Sequence, residues 1–111
     1  MTVQVAMRGE VWGCYFRTPP GPHSVVVLTA NRIAQPLSAV TVALITGTSG
    51  PSVTHVPIGA DAGVTKYDES YVNCTDLHTV QKTQLRKRRG LLSAGELLAV
   101  ENNIRVILAL S

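Results

Sequence analysis

The sequence predicts a small α+β domain in which β-strands close on themselves into a barrel and one α-helix packs at the C-terminal end. Three observations predict it. Val and Thr dominate the first eighty residues, and their branched Cβ atoms suit a pleated strand better than a helix. Gly and Pro interrupt that region at Pro19-Pro20-Gly21-Pro22, Gly47 to Pro51 and Gly59 to Gly63. After Ser93 the apolar period changes from the two-residue alternation of a strand to the three- and four-residue steps of a helix.

The elements follow in order. Residues 8–16 alternate, with Val11, Gly13 and Tyr15 on one face and Trp12, Cys14 and Phe16 on the other. Trp12 and Phe16 are expected to pack the core, and a turn-rich loop, Arg17 to Pro22, ends the strand. A strand is predicted at 24–30, and its 24–28 stretch has almost no polar alternation, so both faces should be covered. A connection at 32–38, with a helical turn, leads to a strand at 39–46; further strands are predicted at 53–58, 70–76 and 85–89. Ser93-Ala94-Gly95-Glu96 has the S-x-x-E form in which the Ser hydroxyl caps a backbone N–H and the Glu reaches back. Leu97, Val100, Ile104, Ile107 and Leu108 then form one apolar stripe on a helix running to about Leu110. Glu101 and Arg105 are placed as an i,i+4 ion pair on its polar side.

At 111 residues the chain is one domain, 1–111, whose core is modest. Sharing apolar surface with a second copy of itself is therefore expected. With 45% hydrophobic and 15% charged residues, nothing reads as a disordered tail. A net charge of +3 permits a polyanionic partner without demanding one. Cys14 and Cys74, in predicted strands and without Cys-x-x-Cys spacing, read as reduced structural thiols, with a bridge between them left open. His23, His55 and His78 show no ligand spacing, so neither metal nor cofactor is expected. The apolar runs are too short to span a bilayer, and Met1 to Met7 lacks the features of a secretory signal. A cytoplasmic location follows as the expectation.

The order of these pieces resembles the MazF/PemK toxins of bacterial toxin–antitoxin pairs, which are small endoribonucleases. The resemblance runs from Arg8 to Leu110. It rests on Met7-Arg8-Gly9-Glu10-Val11-Trp12, His23-Ser24-Val25-Val26-Val27-Leu28 and Val40-Thr41-Val42-Ala43-Leu44-Ile45-Thr46. Pro51 to Ile58, Ser70 to Asp76, Thr79-Val80-Gln81-Lys82 with Leu85, and Gly90-Leu91-Leu92-Ser93 follow in order. It implies an SH3-like barrel of the CcdB/PemK type, a homodimer, a single-stranded RNA substrate and a cognate MazE-like antitoxin. Met7 sits where members often begin, so 1–7 is either a short extension or a matter of start-codon assignment.

Cutting RNA without a metal needs a base for the 2′-hydroxyl, an acid for the leaving 5′-oxygen and donors for the crowded phosphorane. In the resembled family an Arg opening the second strand and a Thr or Ser ending the third dominate this work. Thr46 fits the second position, with Gly47 allowing close backbone approach, or else it simply ends a strand. At the first position the chain has His23-Ser24-Val25 where Arg-Pro-Val is usual. His23 is thus read as a proton-transfer group, or as a half-buried residue opening a strand. Arg17 and Thr48 are candidates for gripping phosphate. The loop lacks the Glu-Gln pair often found in relatives, so Asp76 is placed in the groove as a replacement acid, or as the cap of a turn leaving its strand. Lys82, Arg86, Lys87, Arg88 and Arg89 hold half of the basic residues; strict alternation puts Arg86 and Arg88 on one face, toward RNA or antitoxin, unless the run is a solvated edge.

Two rivals accompany the endoribonuclease reading. One is a CcdB-like topoisomerase poison without chemistry, a mode that resembles one using a C-terminal Trp-Gly-Ile, where this chain has Leu108-Ala109-Leu110-Ser111. The other is a degenerate family member that binds RNA or antitoxin without cutting.

Overall fold

Phe16 and His78 stand far apart in the chain, yet a computed structural model describing residues 5–110 sets their rings edge to face with centroids 5.3 Å apart. The contact reflects how the sheet bends. Six antiparallel strands, β1 (Glu10–Cys14), β2 (His23–Val27), β3 (Ala39–Thr46), β4 (His55–Ile58), β5 (Ser70–Gln81) and β6 (Leu85–Leu91), form one sheet in the order β4-β5-β3-β2-β1-β6. A single helical turn, α1 (Asn31–Ala34), joins β2 to β3, and α2 (Ala94–Ile107) follows β6. Residues 1–4 of the expected extension, and Ser111, lie outside the described residues.

The two-residue alternation of the strands divides the core between two faces. Trp12, Cys14, Phe16, Val25, Val27, Val42, Leu44 and Leu85 pack on one, closed by Ala34 of α1. Val11, Val26, Ala43, Ile45, Val72 and Cys74 pack on the other, beneath Val100 of α2. Val25, Val26 and Val27 are wholly buried, so the strand expected to be covered on both faces is. The cysteines are free, on opposite faces of the sheet.

The barrel expectation needs one correction. No ladder joins β4 to β6, and the sheet stays open there. The gap is filled by the 3-10 turn Ala60–Ala62, whose backbone runs so close to Gly90 that a Cβ on Gly90 would meet the Asp61 carbonyl oxygen at 2.2 Å.

The strand expected at 70–76 continues to Gln81. The polar run Asn73 to Asp76 is a bulge inside β5, because β5 advances from Val72 to Leu77 while β3 moves only from Ile45 to Ala43. Asn73 Oδ1 accepts from the Thr75 N–H (3.1 Å) and hydroxyl (2.6 Å), satisfying backbone that the ladder skips.

α2 begins as the S-x-x-E signal predicts: Ser93 Oγ accepts from the Glu96 N–H at 3.1 Å, and Glu96 Oε1 accepts from the Ser93 N–H at 2.8 Å. It ends at Ile107, short of the expected Leu110, where Leu108 caps it and Ala109 turns to φ 55°. The Glu101–Arg105 pair does not form. Glu101 reaches across to Arg8 at 2.6 Å, and Arg105 donates to Asn102 Oδ1 at 3.0 Å. Arg8 also donates to the Leu28 carbonyl, so it ties the start of β1, the end of β2 and α2 together. Among the described residues no helix is long and apolar enough to cross a membrane.

Candidate functional site

A groove of about 410 Å³ opens where the ends of β1 and β2 meet β6 and the loop after the Ala60–Ala62 turn. Its walls include Tyr15, His23, Ser24, Lys66, Tyr67, Arg86, Lys87 and Arg89. Five of these eight side chains carry, or on protonation gain, positive charge, and no Asp or Glu lines the groove. Such a wall attracts a polyanion.

His23 opens β2 facing Cys14 of β1. The register of β2 against β3 pairs Val25 with Leu44, and continuing it by two residues brings His23 opposite Thr46. The imidazole is fixed there: Nε2 lies 2.7 Å from the Ile45 carbonyl oxygen. A carbonyl can only accept, so Nε2 carries the hydrogen and Nδ1 keeps its lone pair in the neutral ring. Thr46 Oγ1 accepts from the Thr48 N–H at 3.1 Å, which leaves the Thr46 hydroxyl hydrogen to donate elsewhere. The pair singled out in the sequence is therefore adjacent, at the facing ends of two neighbouring strands.

Gly47 has a role different from the one its sequence position suggested. A Cβ there would sit 2.4 Å from Cδ1 of Tyr67, so the glycine makes room for the ring that walls the groove beside Thr46. This wall was missed in the sequence, where Gly47 was the only signal for it.

β6 departs from strict alternation. Cys14 pairs with Leu85 and Gly13 with Lys87, so Arg86 is an extra residue; Trp12 pairs with Arg88 and Val11 with Gly90, so Arg89 is another. Arg86, Lys87 and Arg89 consequently all line the groove, with Arg89 lying across the side-chain-free Gly13. The expected Arg86/Arg88 face is not formed. Arg88 is taken up by Glu10, Nε to Oε2 at 2.6 Å. Arg86 stands with its guanidinium carbon 5.5 Å from the centre of the Tyr15 ring, and Tyr15 is half-exposed. Lys82 leaves the basic run altogether: it is buried, and Nζ donates to the Ala34 carbonyl at 2.6 Å, closing the end of α1.

Thr46 is next to His23 but is not itself a lining residue of the groove, and the other sequence candidates lie outside it as well. Arg17 is exposed in the loop after β1, and Thr48 is exposed beside Thr46. Asp76 neither lines the groove nor caps a turn leaving a strand; it sits in the β5 bulge, 2.7 Å from His78 Nε2. Cys14 does border the groove, but burial pushes its thiol up to about 11 despite the pull of Arg86. It is no nucleophile at neutral pH.

A family model described as the PemK-like, MazF-like toxin of type II toxin–antitoxin systems matches residues 7–108. A Mycobacterium tuberculosis protein named probable endoribonuclease MazF2 is 33% identical over 90 residues, covering 81% of this chain and 85% of that relative. Among solved structures, the Mycobacterium tuberculosis toxin MazF-mt6 superposes with a TM-score of 0.80 at 26% identity, over 92% of this chain and 98% of that one. An endoribonuclease from a mycobacterial species, solved with its cognate antitoxin, superposes at 0.82 with 21% identity, over 95% and 96% of the two chains.

Proposed function

Because this chain belongs to the PemK-like, MazF-like toxins of type II toxin–antitoxin systems, we propose that it is a sequence-specific, metal-independent endoribonuclease that cuts single-stranded RNA. The observation that carries this reading is the His23 imidazole, anchored through Nε2 to the Ile45 carbonyl, beside Thr46 and in a groove of cationic side chains. Nδ1 takes the proton of the 2′-hydroxyl as that oxygen attacks the adjacent phosphorus. Thr46 donates its hydroxyl hydrogen to a phosphorane oxygen, and Arg86, Lys87 and Arg89 offset the charge that develops. The P–O5′ bond breaks, the 5′-oxygen takes up a proton, and the products are a 2′,3′-cyclic phosphate and a 5′-hydroxyl. Thr48 and Arg17 border the path of the strand beyond this centre. A cytoplasmic homodimer, neutralised by a cognate antitoxin that lays an acidic segment over the groove, completes the proposal.

His23 in the place of the family's Arg favours one second reading, a toxin-like protein that holds RNA without cutting it. The topoisomerase-poison reading has no counterpart among the relatives described above. Incubating the protein with a mixed RNA pool in EDTA separates the remaining two. Fragments with 2′,3′-cyclic phosphate ends are expected, and bound but uncut RNA would overturn the proposal.

A further inference from the structure

Tyr67 is a ridge with different chemistry on its two sides. On one side lies the cationic groove with His23. On the other lies a second hollow of about 390 Å³, bordered by Pro57, Ile58, Tyr67, Asp68, Glu69 and Tyr71. The ring is seated, since it occupies the space above Gly47, and Lys66 Nζ stands 5.5 Å from its centre. The phenol of Tyr71 donates to Glu69 Oε2 at 2.9 Å, which leaves Oε1 of Glu69 and the Asp68 carboxylate as acceptors. Among the described residues neither acid is in an ion pair.

Resting on the RNA-cutting reading, we propose that one base of the substrate crosses the Tyr67 ridge, stacks on its ring and is read in the second hollow as guanine. An RNA strand lying in the groove can send only two things over the ridge, phosphate or base. Carboxylates repel phosphate, so the backbone stays with Lys87 and Arg89 and the base turns across. A tyrosine face accepts any base, which makes Tyr67 a positioning residue for the nucleotide beside the reacting phosphate. Selection then falls to the acids. An ionised carboxylate only accepts hydrogen bonds. Guanine presents N1–H and N2–H side by side, and one carboxylate takes both in parallel, as it takes the two N–H groups of a guanidinium. Adenine and cytosine present one N–H beside a ring lone pair, and uracil one N–H between two carbonyls. Each of these sets a lone pair against the carboxylate.

The test uses the full chain and three variants, Tyr67→Ala, Tyr67→Phe and the double variant Asp68→Asn with Glu69→Gln. Their folding is checked by thermal unfolding. Cut ends from a random RNA pool are sequenced, and all-deoxy oligonucleotides, which lack the attacking hydroxyl, report binding by anisotropy. The parent is expected to show guanine at one fixed position relative to the cut. The double variant loses that enrichment at least tenfold while other positions keep theirs. Tyr67→Ala raises KM about tenfold with kcat within twofold, and Tyr67→Phe behaves as the parent. No fixed guanine, or a guanine that survives in the double variant, overturns the inference. If the parent cuts nothing, the oligonucleotides still decide. A guanine preference abolished in the double variant keeps the base subsite while cleavage falls, and no preference overturns it.

Discussion

Removing the Glu10 carboxylate perturbs three donors at once. Its Oε1 accepts from the Met7 N–H at 2.7 Å and from the Trp12 indole at 3.2 Å, and its Oε2 accepts from Arg88 Nε at 2.6 Å. Burial alone would push this carboxyl up, but the three donors more than offset it and hold the group below its usual range. In Glu10→Ala the largest cost falls on Trp12, which is 5% exposed and keeps an orphaned indole N–H, about 1–3 kcal/mol. Arg88, whose side chain is 49% exposed, returns to water for about 0.2–1 kcal/mol. The Met7 N–H is near solvent and adds little. The expected loss is about 2–3 kcal/mol at pH 7, read as a lower urea midpoint at constant slope. Glu10→Gln keeps an acceptor for Trp12 and loses about 1 kcal/mol. The depressed folded pKa fixes the sign. The carboxylate's stabilisation is fully present above the unfolded value, about 4.3, and disappears as pH falls through the folded value. Parent and Glu10→Gln should thus differ at pH 7, with the difference shrinking as pH falls below the unfolded value. Equal midpoints for parent and Glu10→Ala at pH 7, or a Gln deficit unchanged in acid, would refute the reasoning.

Thr46→Val keeps the strand, since its hydroxyl serves only the exposed Thr48 N–H within the protein, but should lose about 2.7–4 kcal/mol of transition-state stabilisation in single-turnover cleavage. Parent-like cutting would remove Thr46 from the chemistry. His23→Gln can still donate to the Ile45 carbonyl yet cannot take a proton, so the acid-side fall of the pH–rate profile, where a general base is protonated, should vanish; an unaltered profile would clear His23 of proton transfer. Lys87→Ala with Arg89→Ala should reduce the slope of log affinity against log salt by about 1.4 for single-stranded RNA, and an unchanged slope would make the basic run a solvated edge. With burial raising both thiols, Cys14 to about 11, iodoacetamide at pH 8 should label neither cysteine until the chain unfolds, as mass spectrometry would show.

Most strands and the helix start were legible because they rest on local chemistry. Branched residues between Gly and Pro breaks located β1 to β4, and Ser93 with Glu96 wrote out the cap of α2. The choice of His23 and Thr46 came from the resemblance, and the antiparallel β2–β3 register sets His23 at the Ile45 carbonyl beside Thr46. What sequence hid was set by partners far along the chain. Asp76 read as a strand exit because a polar run looks the same whether a strand stops or bulges. Arg105 lost Glu101 to Arg8, a residue 93 positions away from that acid in the chain. The run at 86–89 was assigned to faces by counting in twos, which fails wherever one strand carries more residues than its neighbour. Gly13 hinted at this, since a glycine inside a strand often marks a bulge or a close approach. Lys82 looked like part of a charged edge, and only the carbonyl end of α1 explains its burial.

The two surplus residues of β6 have a further consequence for how such a strand can change in length. Five residues of β1, Glu10 to Cys14, face seven of β6, Leu85 to Leu91, and the surplus is Arg86 and Arg89. Losing either one removes its bulge and leaves the pairs on both sides of it in place. Losing both returns the ladder to one-for-one, with Leu85 still opposite Cys14 and Gly90 still opposite Val11. Deletions of these two residues spare the pairing whether single or paired. The interior does not notice the paired loss, but the groove keeps only Lys87 of its three β6 cations. Strand length at this edge is thus a dial on charge that can be turned one residue at a time without touching the core.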